Sequence, residues 1–418
     1  MLKEPIQIGS FQNGLGSLGK LQQNKFVTLD NCDIHSETGI CQPQLAMESE
    51  STTPNEACLE AIDNTGNIFA VSTTSGKIWK RTTAASWSLI HTNANGAHRG
   101  ARYFNGFLWY WTATKLGTYD LASTYNDSFA TGSDFREGIE ANNTLLIANG
   151  RYTSRVDSTN TFSANEFVVP AQYKQTCLKN VGDDVLVGTY VSNDVAYCKA
   201  FLWDTVSTAW SYEAEVFEIG INCFVTLGEI ILAQCGTQGR FYYWTGSKLK
   251  RFGKIRGITT ALGEQKSVVY NGRALFANGT KIYSIHSEEE GLSIAFCGEY
   301  TCTGTINSLI VQGQTLLASV GTGFDKRGNN YATATIETAE IQAKISDIKV
   351  RYDVYPTGIG ISTSINSADY VAQTETVNAT EKEVSFNGGV IDGATSQVKI
   401  ILTPSGSNVP KIKSIILQ

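Results

Sequence analysis

Two groups of neighbouring carboxylates are the residues of this 418-residue chain best suited to acid–base catalysis, Asp183–Asp184 and Glu288–Glu290. Two carboxyl groups on either side of a glycosidic bond can hydrolyse it, because one protonates the leaving oxygen while the other attacks the sugar or activates water. Both groups lie in polar, turn-like sequence. No sialidase-type Asp box, Gly-x-Ser-x-Gly elbow or phosphate-binding Gly-Lys-Ser/Thr loop accompanies them. We interpret them as solvated turn acids and assign no catalytic residue.

Metal-binding patterns in the sequence are weak. The stretch 63–67 (Asp-Asn-Thr-Gly-Asn) offers alternating oxygen ligands like a calcium loop, but it has one carboxylate where such loops carry several. His91 and His98 lie in a Gly- and Asn-rich loop, and their spacing does not suit ligands on one strand, which would be two residues apart. The nine cysteines show no CxxC spacing, so we expect reduced, mostly buried thiols. The sequence therefore predicts no metal site and no cofactor.

A basic stretch and a set of aromatic residues are the remaining candidates for binding surfaces. The stretch KLKRFGKIR could contact a polyanion, although a solvated outer strand explains it as well. Its cations are Lys248, Lys250, Arg251, Lys254 and Arg256. Aromatic rings stacked on a sugar would form a lectin site, whereas their places in the strand pattern favour packing between sheets. These aromatics are Trp79, Trp109, Tyr110, Trp111, Trp203, Trp210, Tyr242, Tyr243 and Trp244.

The composition favours strands over helices. Only 17% of residues are charged and there are 39 glycines but 7 prolines and 2 methionines, while the β-branched and aromatic residues that suit a pleated sheet are plentiful. The net charge of -6 argues against a basic nucleic-acid binder. The start of the chain lacks the apolar segment of a signal peptide, and the most apolar window, 217–236, contains Glu218 and Glu229. We expect synthesis in the cytoplasm and no membrane span.

A hairpin recurs along the middle of the chain, built from an apolar strand, a short Asn/Gly/Asp turn and a second strand ending in small residues. The turns, about forty residues apart, lie at Gly66, Gly106, Asn143, Asp183, Gly228, Gly272 and Gly313. A second strand pair follows each hairpin, and four short strands per repeat is the period of a β-propeller blade. The sequence predicts an all-β fold with a seven-bladed β-propeller over residues 58–335. The pair Trp203–Asp204 matches WD repeats in one repeat alone, so that family is not indicated.

The two ends of the chain lack the repeat. Residues 1–57 are irregular, with FVTLDNCDI at 26–34 as the best strand candidate. This segment either closes the ring by adding a strand to the last blade or extends as an arm onto a neighbouring subunit. In residues 336–418, strong alternation in ISDIKVRYDVY, GIGISTSINSADY, KEVSFNG, QVKIILTP and KIKSIILQ predicts antiparallel strands that form a small C-terminal β-sandwich.

The order of these parts resembles tail proteins of double-stranded DNA bacteriophages. The resemblance is carried by an irregular start containing NCDIHSETGICQPQLA, a propeller of degenerate repeats with YYWTGSKLKRFGKI, and a terminal sandwich ending SGSNVPKIKSIILQ. The layout is most similar to the β-propeller tail nozzle, or hub, proteins of short-tailed phages, whose subunits ring the DNA exit channel. The resemblance covers nearly the whole chain, but the chain is short for that family. No site residue is carried over.

The resemblance implies a non-enzymatic structural role in the virion tail. We expect a homo-oligomeric ring, a hexamer, docked to a portal or adaptor above and to other tail proteins below, with DNA in passive contact as it is ejected. The scarcity of charge agrees with this role, because the cores of subunit interfaces are depleted in Lys, Glu and Asp. Two alternatives stay open: a receptor- or glycan-binding propeller at the tail tip, and a polysaccharide-degrading enzyme.

Overall fold

The chain divides into two compact units. The computed structural model describes residues 6–8, 11, 26–50, 53–81, 86–191, 196–255, 258, 260–287, 294–341, 345, 347–355, 359–365, 369–386, 395–406 and 408–418. Unit 1 comprises Met1–Met47, Lys281–Thr301 and Arg327–Gln418, and unit 2 comprises Glu48–Thr280 and Cys302–Lys326. In the described residues nearly all regular structure is β-strand, and helix is limited to short 3-10 turns such as Glu264–Lys266. The protein is all-β, as predicted.

The strands before the first repeat include the one predicted at 26–34. In chain order they are β1 (Ile6–Ile8), β2 (Phe26–Asp30), β3 (Cys32–Asp33), β4 (Gln42–Pro43) and β5 (Leu45–Ser49). The predicted strand is therefore two, β2 and β3, separated at Asn31, which takes a positive φ of 53°. β3 and β4 pair with each other in an antiparallel ladder.

Five consecutive four-stranded antiparallel sheets follow in unit 2, each in simple up-and-down order. Sheet 1 contains β6 (Cys58–Ile62), β7 (Ile68–Ser72), β8 (Lys77–Arg81) and β9 (Trp87–Thr92). Sheet 2 contains β10 (Gly100–Phe104), β11 (Phe107–Trp111), β12 (Lys115–Tyr119) and β13 (Tyr125–Thr131). Sheet 3 contains β14 (Phe135–Ala141), β15 (Thr144–Asn149), β16 (Tyr152–Val156) and β17 (Phe162–Val168). Sheet 4 contains β18 (Tyr173–Val181), β19 (Asp184–Val191), β20 (Cys198–Trp203) and β21 (Tyr212–Val216). Sheet 5 contains β22 (Ile221–Leu227), β23 (Ile230–Cys235), β24 (Arg240–Trp244) and β25 (Leu249–Lys254).

The remaining strands belong partly to unit 2 and partly to unit 1. They begin with β26 (Ser267–Tyr270), β27 (Arg273–Asn278), β28 (Lys281–Ser287), β29 (Ile294–Thr301), β30 (Ile306–Gln312), β31 (Thr315–Val320) and β32 (Gly323–Tyr331). The C-terminal strands are β33 (Ala334–Thr338), β34 (Ile348–Val354), β35 (Ile359–Ile365), β36 (Val371–Ala372), β37 (Glu375–Asn378), β38 (Glu383–Phe386), β39 (Ser396–Leu402) and β40 (Lys411–Leu417). Strands β34, β35, β38, β39 and β40 occupy the five segments in which alternation predicted strands.

Each of the seven predicted turns joins two antiparallel strands. Asn105–Gly106 connects β10 to β11, and Asn271–Gly272 connects β26 to β27, with positive φ at all four residues. Asn and Gly suit such turns because both tolerate the left-handed region that a two-residue hairpin requires. The turn residues that the sequence singled out therefore have a direct conformational role.

The strand after each of these turns is largely buried, which explains its small and apolar residues. In β7 all five residues are buried, in β11, β15, β23 and β31 every residue but the first is buried, and in β19 the five residues from Val185 to Thr189 are buried. A strand alternates its side chains between two faces, so burial of successive residues means that both faces are covered. Each of these strands therefore lies between two neighbouring layers.

Neighbouring sheets of unit 2 pack face to face and cover one another. Sheets 1 and 2 share an apolar cluster that includes Phe69 and Tyr110. Trp111 of sheet 2 packs with Ile147 of sheet 3, and comparable clusters join sheet 3 to sheet 4 and sheet 4 to sheet 5. Phe241 of sheet 5 meets Phe276 of β27 edge to face, with ring centroids 4.8 Å apart. Edge-to-face contacts of this kind add stabilisation beyond the buried area.

The contacts between successive sheets continue from β26 to the last strands of unit 2, and from these strands back to sheet 1. The Tyr270 hydroxyl of β26 donates to the Gln314 carbonyl in the β30–β31 turn at 2.8 Å. Strands β31 and β32 then pack against sheet 1, where Phe324 stacks on Trp87 with centroids 4.3 Å apart. The Ser308 hydroxyl also donates to the Cys58 carbonyl at 2.8 Å. The last strands of unit 2 thus lie against its first sheet.

A buried ion pair stabilises the contact between the last strands of unit 2 and sheet 1. Strand β5 is the fourth strand of the sheet β30–β31–β32–β5, and directly after it the Glu50 N–H donates to the Phe324 carbonyl at 2.8 Å. The fully buried Glu50 carboxylate pairs with Arg81 of β8 and accepts from Trp87 Nε1 at 3.1 Å. Arg81 also donates to Gln312 Oε1 at 3.0 Å. One carboxylate therefore connects the chain start, sheet 1 and β30.

Unit 1 contains two groups of paired strands. One has the order β1–β40–β34–β38–β37, and the other contains the neighbours β28–β29–β2–β33–β39–β35–β36. β2 runs parallel to β29 and antiparallel to β33. Burial alternates along β39, from Ser396 to Leu402, so each such strand has one covered face and one more open face. β40 lies between β1 and β34 and is buried along most of its length.

We predict that replacing Glu50 destabilises unit 2 strongly. Glu50→Gln leaves the Arg81 guanidinium, which is only 11% exposed, without its counter-charge, and breaking a buried pair in this way typically costs about 3–5 kcal/mol. Urea unfolding followed by tryptophan fluorescence would measure the change. Glu229→Gln, which removes the same charge from an exposed turn, is the matched control and should change stability by less than about 0.5 kcal/mol. Equal stabilities of the two variants would contradict the role given to Glu50.

Candidate functional site

The carboxylate pairs proposed from sequence do not form a site in the described residues. Asp183 is exposed in the β18–β19 turn and Asp184 begins β19, which is where solvated turn acids are expected. The second group, Glu288–Glu290, lies outside the described residues. The geometry gives Asp183 and Asp184 no catalytic role.

The calcium-like stretch forms a self-contained turn. One Asp63 oxygen accepts from the backbone N–H groups of Thr65 and Asn67, each at 2.9 Å, and the other accepts from the Asn67 amide at 2.8 Å. These hydrogen bonds favour the charged form and hold the pKa of Asp63 below its usual value against the opposing effect of burial. The carboxylate therefore stabilises the hairpin turn between β6 and β7.

The same arrangement, a carboxylate that accepts backbone N–H groups of its own turn, recurs in the outer turns of three sheets. The sequence analysis did not predict these turns. Asp120, Asp157 and Asp204 each follow the third strand of sheets 2, 3 and 4 and accept two or three backbone N–H bonds of 2.7–3.0 Å from the next residues. These bonds lower the pKa of all three carboxyls. Trp203–Asp204 is one such turn, so its aspartate has a local structural partner. The sequence signal that could have predicted these turns is an aspartate directly after the third strand of a repeat.

His91 and His98 are joined through a polar network between sheets 1 and 2. His91 Nε2 donates to Asp127 Oδ1 at 2.8 Å, and the Tyr110 hydroxyl donates to the same oxygen at 2.7 Å. The His98 ring packs edge to face on Tyr110, with centroids 5.5 Å apart. His98 Nδ1 donates to the Ser72 carbonyl at 3.2 Å, which leaves Nε2 to accept from an Asn93 amide. The histidines are thus part of an inter-sheet hydrogen-bond network.

Burial keeps His98 neutral. Its side chain is almost completely enclosed, and this burial lowers the pKa of the imidazole to about 4, while the Ser72 carbonyl and Asp127 oppose the shift. Among the described residues no group of three or more His, Cys, Asp or Glu side chains is placed to hold a metal ion. In that part of the chain no helix has the length and apolarity needed to cross a membrane.

The basic stretch lies on the outer strand of sheet 5, as the structural interpretation predicted. Lys250 and Arg251 are exposed on β25, where they pair with Tyr243 and Tyr242 of β24. Lys248 is also exposed just before this strand, and Arg256 lies outside the described residues. A strip of cations is therefore available to solvent at this edge.

Most of the candidate aromatics pack in the core. The buried members of the set are Trp109, Tyr110, Trp111, Trp203, Tyr242 and Trp244. Trp79 and Tyr243 are partly buried, and Trp210 is the exposed member of the set, since 37% of it is exposed. It lies beside the outer strand of sheet 4, where Val206, Tyr212 and Phe217 are 89%, 47% and 71% exposed. All nine cysteines are buried and none forms a disulfide, as the sequence predicted.

A cavity of about 180 Å³ lies among the first strands of several repeats. Its wall combines polar and apolar groups from β6, β10, β14, β26 and β30, with the 3-10 turn before β26. Arg102 of β10 is fixed there, because its Nε and Nη2 donate to the Gly138 carbonyl at 3.0 and 2.9 Å. Gly138 also leaves room for Trp111, whose ring would lie 2.8 Å from a Cβ at that position. The first strands of five repeats therefore contribute to one cavity.

Glu60 of β6 is one of the residues that line this cavity. Both of its carboxylate oxygens are nevertheless inaccessible to solvent. Hydrogen bonding with the Ser308 side chain and the Ser319 backbone favours the charged form of this carboxyl but does not outweigh its burial. Burial is the main cause that raises the pKa of the Glu60 carboxyl to about 8. The sequence reading missed this residue, because an isolated glutamate in a first strand carries no motif.

Comparisons with known proteins identify the fold. No known protein family matches this sequence, and no curated protein sequence is similar to it. The structure is similar to that of YCF48 bound to a D1 peptide, with a TM-score of 0.50 and 10% identity over 68% of this chain and 96% of that one. It is also similar to the WD40 domain of Neurospora crassa Pan2, with a TM-score of 0.48 and 12% identity over 69% of this chain and 96% of that one. The fold is that of a β-propeller.

A third similar structure extends this likeness. It is the extracellular domain of a putative hybrid two-component system, BT4673, from B. thetaiotaomicron, with a TM-score of 0.50 and 11% identity. The match covers 75% of this chain and 44% of that one. Sequence identities this low reflect a shared architecture and carry no site residue across. The chemistry of the propeller must therefore be argued from its own side chains.

We predict that His98 contributes to the acid sensitivity of the propeller. The unfolded imidazole has a pKa near 6.5 and the folded one near 4, so the unfolded state binds more protons between these values. The contribution is complete above about pH 6.5 and is lost as pH falls towards 4, up to about 3 kcal/mol. Urea unfolding at several pH values would measure the slope. His98→Gln should flatten that slope relative to the unsubstituted protein, and identical slopes would contradict the prediction.

Proposed function

We propose that this chain is a non-enzymatic structural component of a bacteriophage tail, similar to the nozzle or hub proteins of short-tailed phages. In this proposal it forms part of a homo-oligomeric ring of six subunits around the DNA exit channel. A portal or adaptor and other tail proteins dock to the ring, and DNA contacts it passively. The support comes from the layout of the sequence and from the surface of the propeller.

The proposal takes the propeller to have seven blades. Seven hairpins recur at the predicted turns, and six of the repeats supply four strands in chain order, while in the seventh the fourth strand, beside β32, is β5 from the chain start. The face-to-face contacts within unit 2 run from each repeat to the next and return from Phe324 to Trp87. A closed ring covers both faces of every blade and leaves only short edges. Closure by a strand from the chain start favours the first of the two roles expected for residues 1–57.

The proposal also takes the C-terminal strands to form a small β-sandwich. Their residues alternate between buried and less buried positions, as along β39 and the first half of β34, which is the pattern of strands with one face against a core. Val350, Val384, Ile400 and Ile415 are fully buried. In the tail such a domain would provide a second rigid surface for docking.

The exposed apolar residues of sheet 4 are the observation that carries the structural role. Val206, Trp210, Tyr212 and Phe217 lie along the outer strand β21 or next to it, and three of them are aromatic. Aromatic residues are enriched in the buried centres of protein interfaces, whereas a monomer seldom exposes several on one edge. We assign this edge to the contact with a second copy of the chain.

A direct test is the mass of the purified protein. We expect a ring, six times the 45.4 kDa of one chain, in native mass spectrometry and in negative-stain images. Phe217→Ser should weaken assembly roughly tenfold or more, because an exposed aromatic at an interface centre is typical of a hot spot. Leu89→Ser, which removes a 48% exposed residue of sheet 1, is the matched control. A monodisperse monomer under virion-like conditions would count decisively against the ring.

Glycan binding at the tail tip is the second candidate, and the exposure of Trp210 favours it. The exposed part of the Trp210 indole can stack on the apolar face of a hexose, while the ring also packs edge to face with Phe201, and Tyr212 lies close by in sequence on the same edge. We expect binding on a glycan array to be lost in Trp210→Ala and kept in Tyr331→Ala, whose ring is 41% exposed elsewhere. An array with no binding by the unsubstituted protein would remove this candidate and leave the ring proposal unaffected.

A further inference from the structure

The outer strands of sheets 1 to 5 differ in charge. Each is the last strand of its sheet, and four of them, β9, β13, β17 and β21, contain no Lys or Arg. The fifth, β25, contains three cations and no Asp or Glu. Lys248, directly before this strand, extends the row. We call these four residues the β25 cation strip: Lys248, Lys250, Arg251 and Lys254.

The strip lacks the acidic partners that neutralise cations in the neighbouring sheet. In sheet 4, Lys199 of the third strand pairs with Glu213 of the outer strand at 2.6 Å. In sheet 5 the third-strand cation Arg240 pairs with Glu218 instead, and the outer strand offers no acid. Within the described residues, no member of the strip forms an ion pair with a carboxylate. Because three of the four are exposed, their positive charge is available to a ligand from outside the chain.

The shape of the strip suits a linear polyanion. From Lys248 to Lys254 an extended strand covers about 20 Å. One strand of a DNA duplex advances about 3.4 Å per phosphate, so roughly six phosphates lie along the same length. Tyr243 pairs with Lys250 across the sheet, but its ring packs on Phe252 with centroids 6.2 Å apart, and both rings are partly buried. The strip therefore offers a line of charge rather than an open platform for stacking bases.

We propose that the β25 cation strip binds the phosphate backbone of a nucleic acid without reading its sequence. Each cation donates to a phosphate oxygen, and binding releases counterions that the phosphates had condensed. This inference rests on the proposed function, in which DNA passes the chain, and it names the surface that the DNA contacts. The net charge of -6 means that the chain as a whole repels a polyanion, so the contact is local, weak and sensitive to salt. Such a contact lets DNA slide along the protein.

The experiment is fluorescence anisotropy of the full chain with a labelled DNA duplex of about 20 base pairs and with one of its single strands. Between about 50 and 200 mM salt, three phosphate contacts by the exposed cations should weaken duplex binding about 40-fold and single-strand binding about 20-fold. A second duplex of unrelated sequence should bind with the same affinity, because the strip contacts the backbone alone.

A double variant tests whether the strip is the binding surface. Lys250→Gln combined with Arg251→Gln should weaken duplex binding roughly tenfold or more and reduce the salt slope of log K by about two. The matched control, Lys382→Gln with Lys413→Gln, removes the same two charges from exposed positions of unit 1, where both cations pair with Asp353 at 4.0 and 2.8 Å. All four side chains are exposed, so both variants should fold, and urea unfolding checks this.

Three results would overturn the proposal. The first is no binding to either DNA at about 50 mM salt with protein at roughly 10⁻⁴ M. The second is an equal loss of affinity in the control variant. The third is binding of a heparin fragment through the strip without binding of DNA, which would assign the strip to an anionic polysaccharide.

Native mass separates this inference from the proposed function. A ring that does not bind DNA overturns the role of the strip and leaves the ring intact. A monomer that binds DNA through the strip overturns the ring and supports the strip. If the strip variant breaks the ring and leaves DNA binding unchanged, the cations belong to a contact with a second copy, and the proposed DNA contact fails.

Discussion

No sheet of unit 2 can cover both of its own faces, and the rest of the propeller depends on this constraint. Strands such as β7 are buried on both sides, so each sheet needs a neighbour before it and another after it. A row of sheets would leave two apolar faces open at its ends. The contact of Phe324 with Trp87 covers both ends at once, and Glu50 fixes it with a buried charge pair.

Polar groups inside these stacked sheets are placed where they can be paired. The Asp127 carboxylate accepts hydrogen bonds from both His91 and Tyr110 between sheets 1 and 2. In a dry interior such networks specify one arrangement, because a mispaired neighbour would leave a donor or acceptor unsatisfied. The Asp325 carboxylate likewise accepts hydrogen bonds from the hydroxyls of Thr303 and of Ser49, which lies near the chain start. Polar contacts therefore determine which surfaces meet, while the apolar clusters supply most of the stabilisation.

The elements were more accessible to sequence reasoning than the site. Asn105–Gly106 and Asn271–Gly272 signal hairpins through local backbone preference, and the alternation in β39 follows from a period that any half-buried strand obeys. Glu60 could not be recognised, because the burial that raises its pKa comes from strands far away in the chain. The role of His98 was also hidden: the sequence analysis considered it only as a metal ligand and rejected that role, and folding directs its ring nitrogens to Ser72 and Asn93. The exposure of Phe217 likewise depends on which neighbour covers each sheet.

The pairing of the chain start with β32 has a consequence for synthesis. Ser49 donates to Asp325, 276 residues further along, at 3.0 Å. A ribosome adds residues in order, so the partner of the early strand does not exist until most of the polypeptide has been made. Until then the first sheet has an uncovered apolar face and β5 an unpaired edge, both of which favour aggregation. Completing the ring is therefore a late, non-local event, and slow translation or a chaperone that shields the emerging chain would protect its yield.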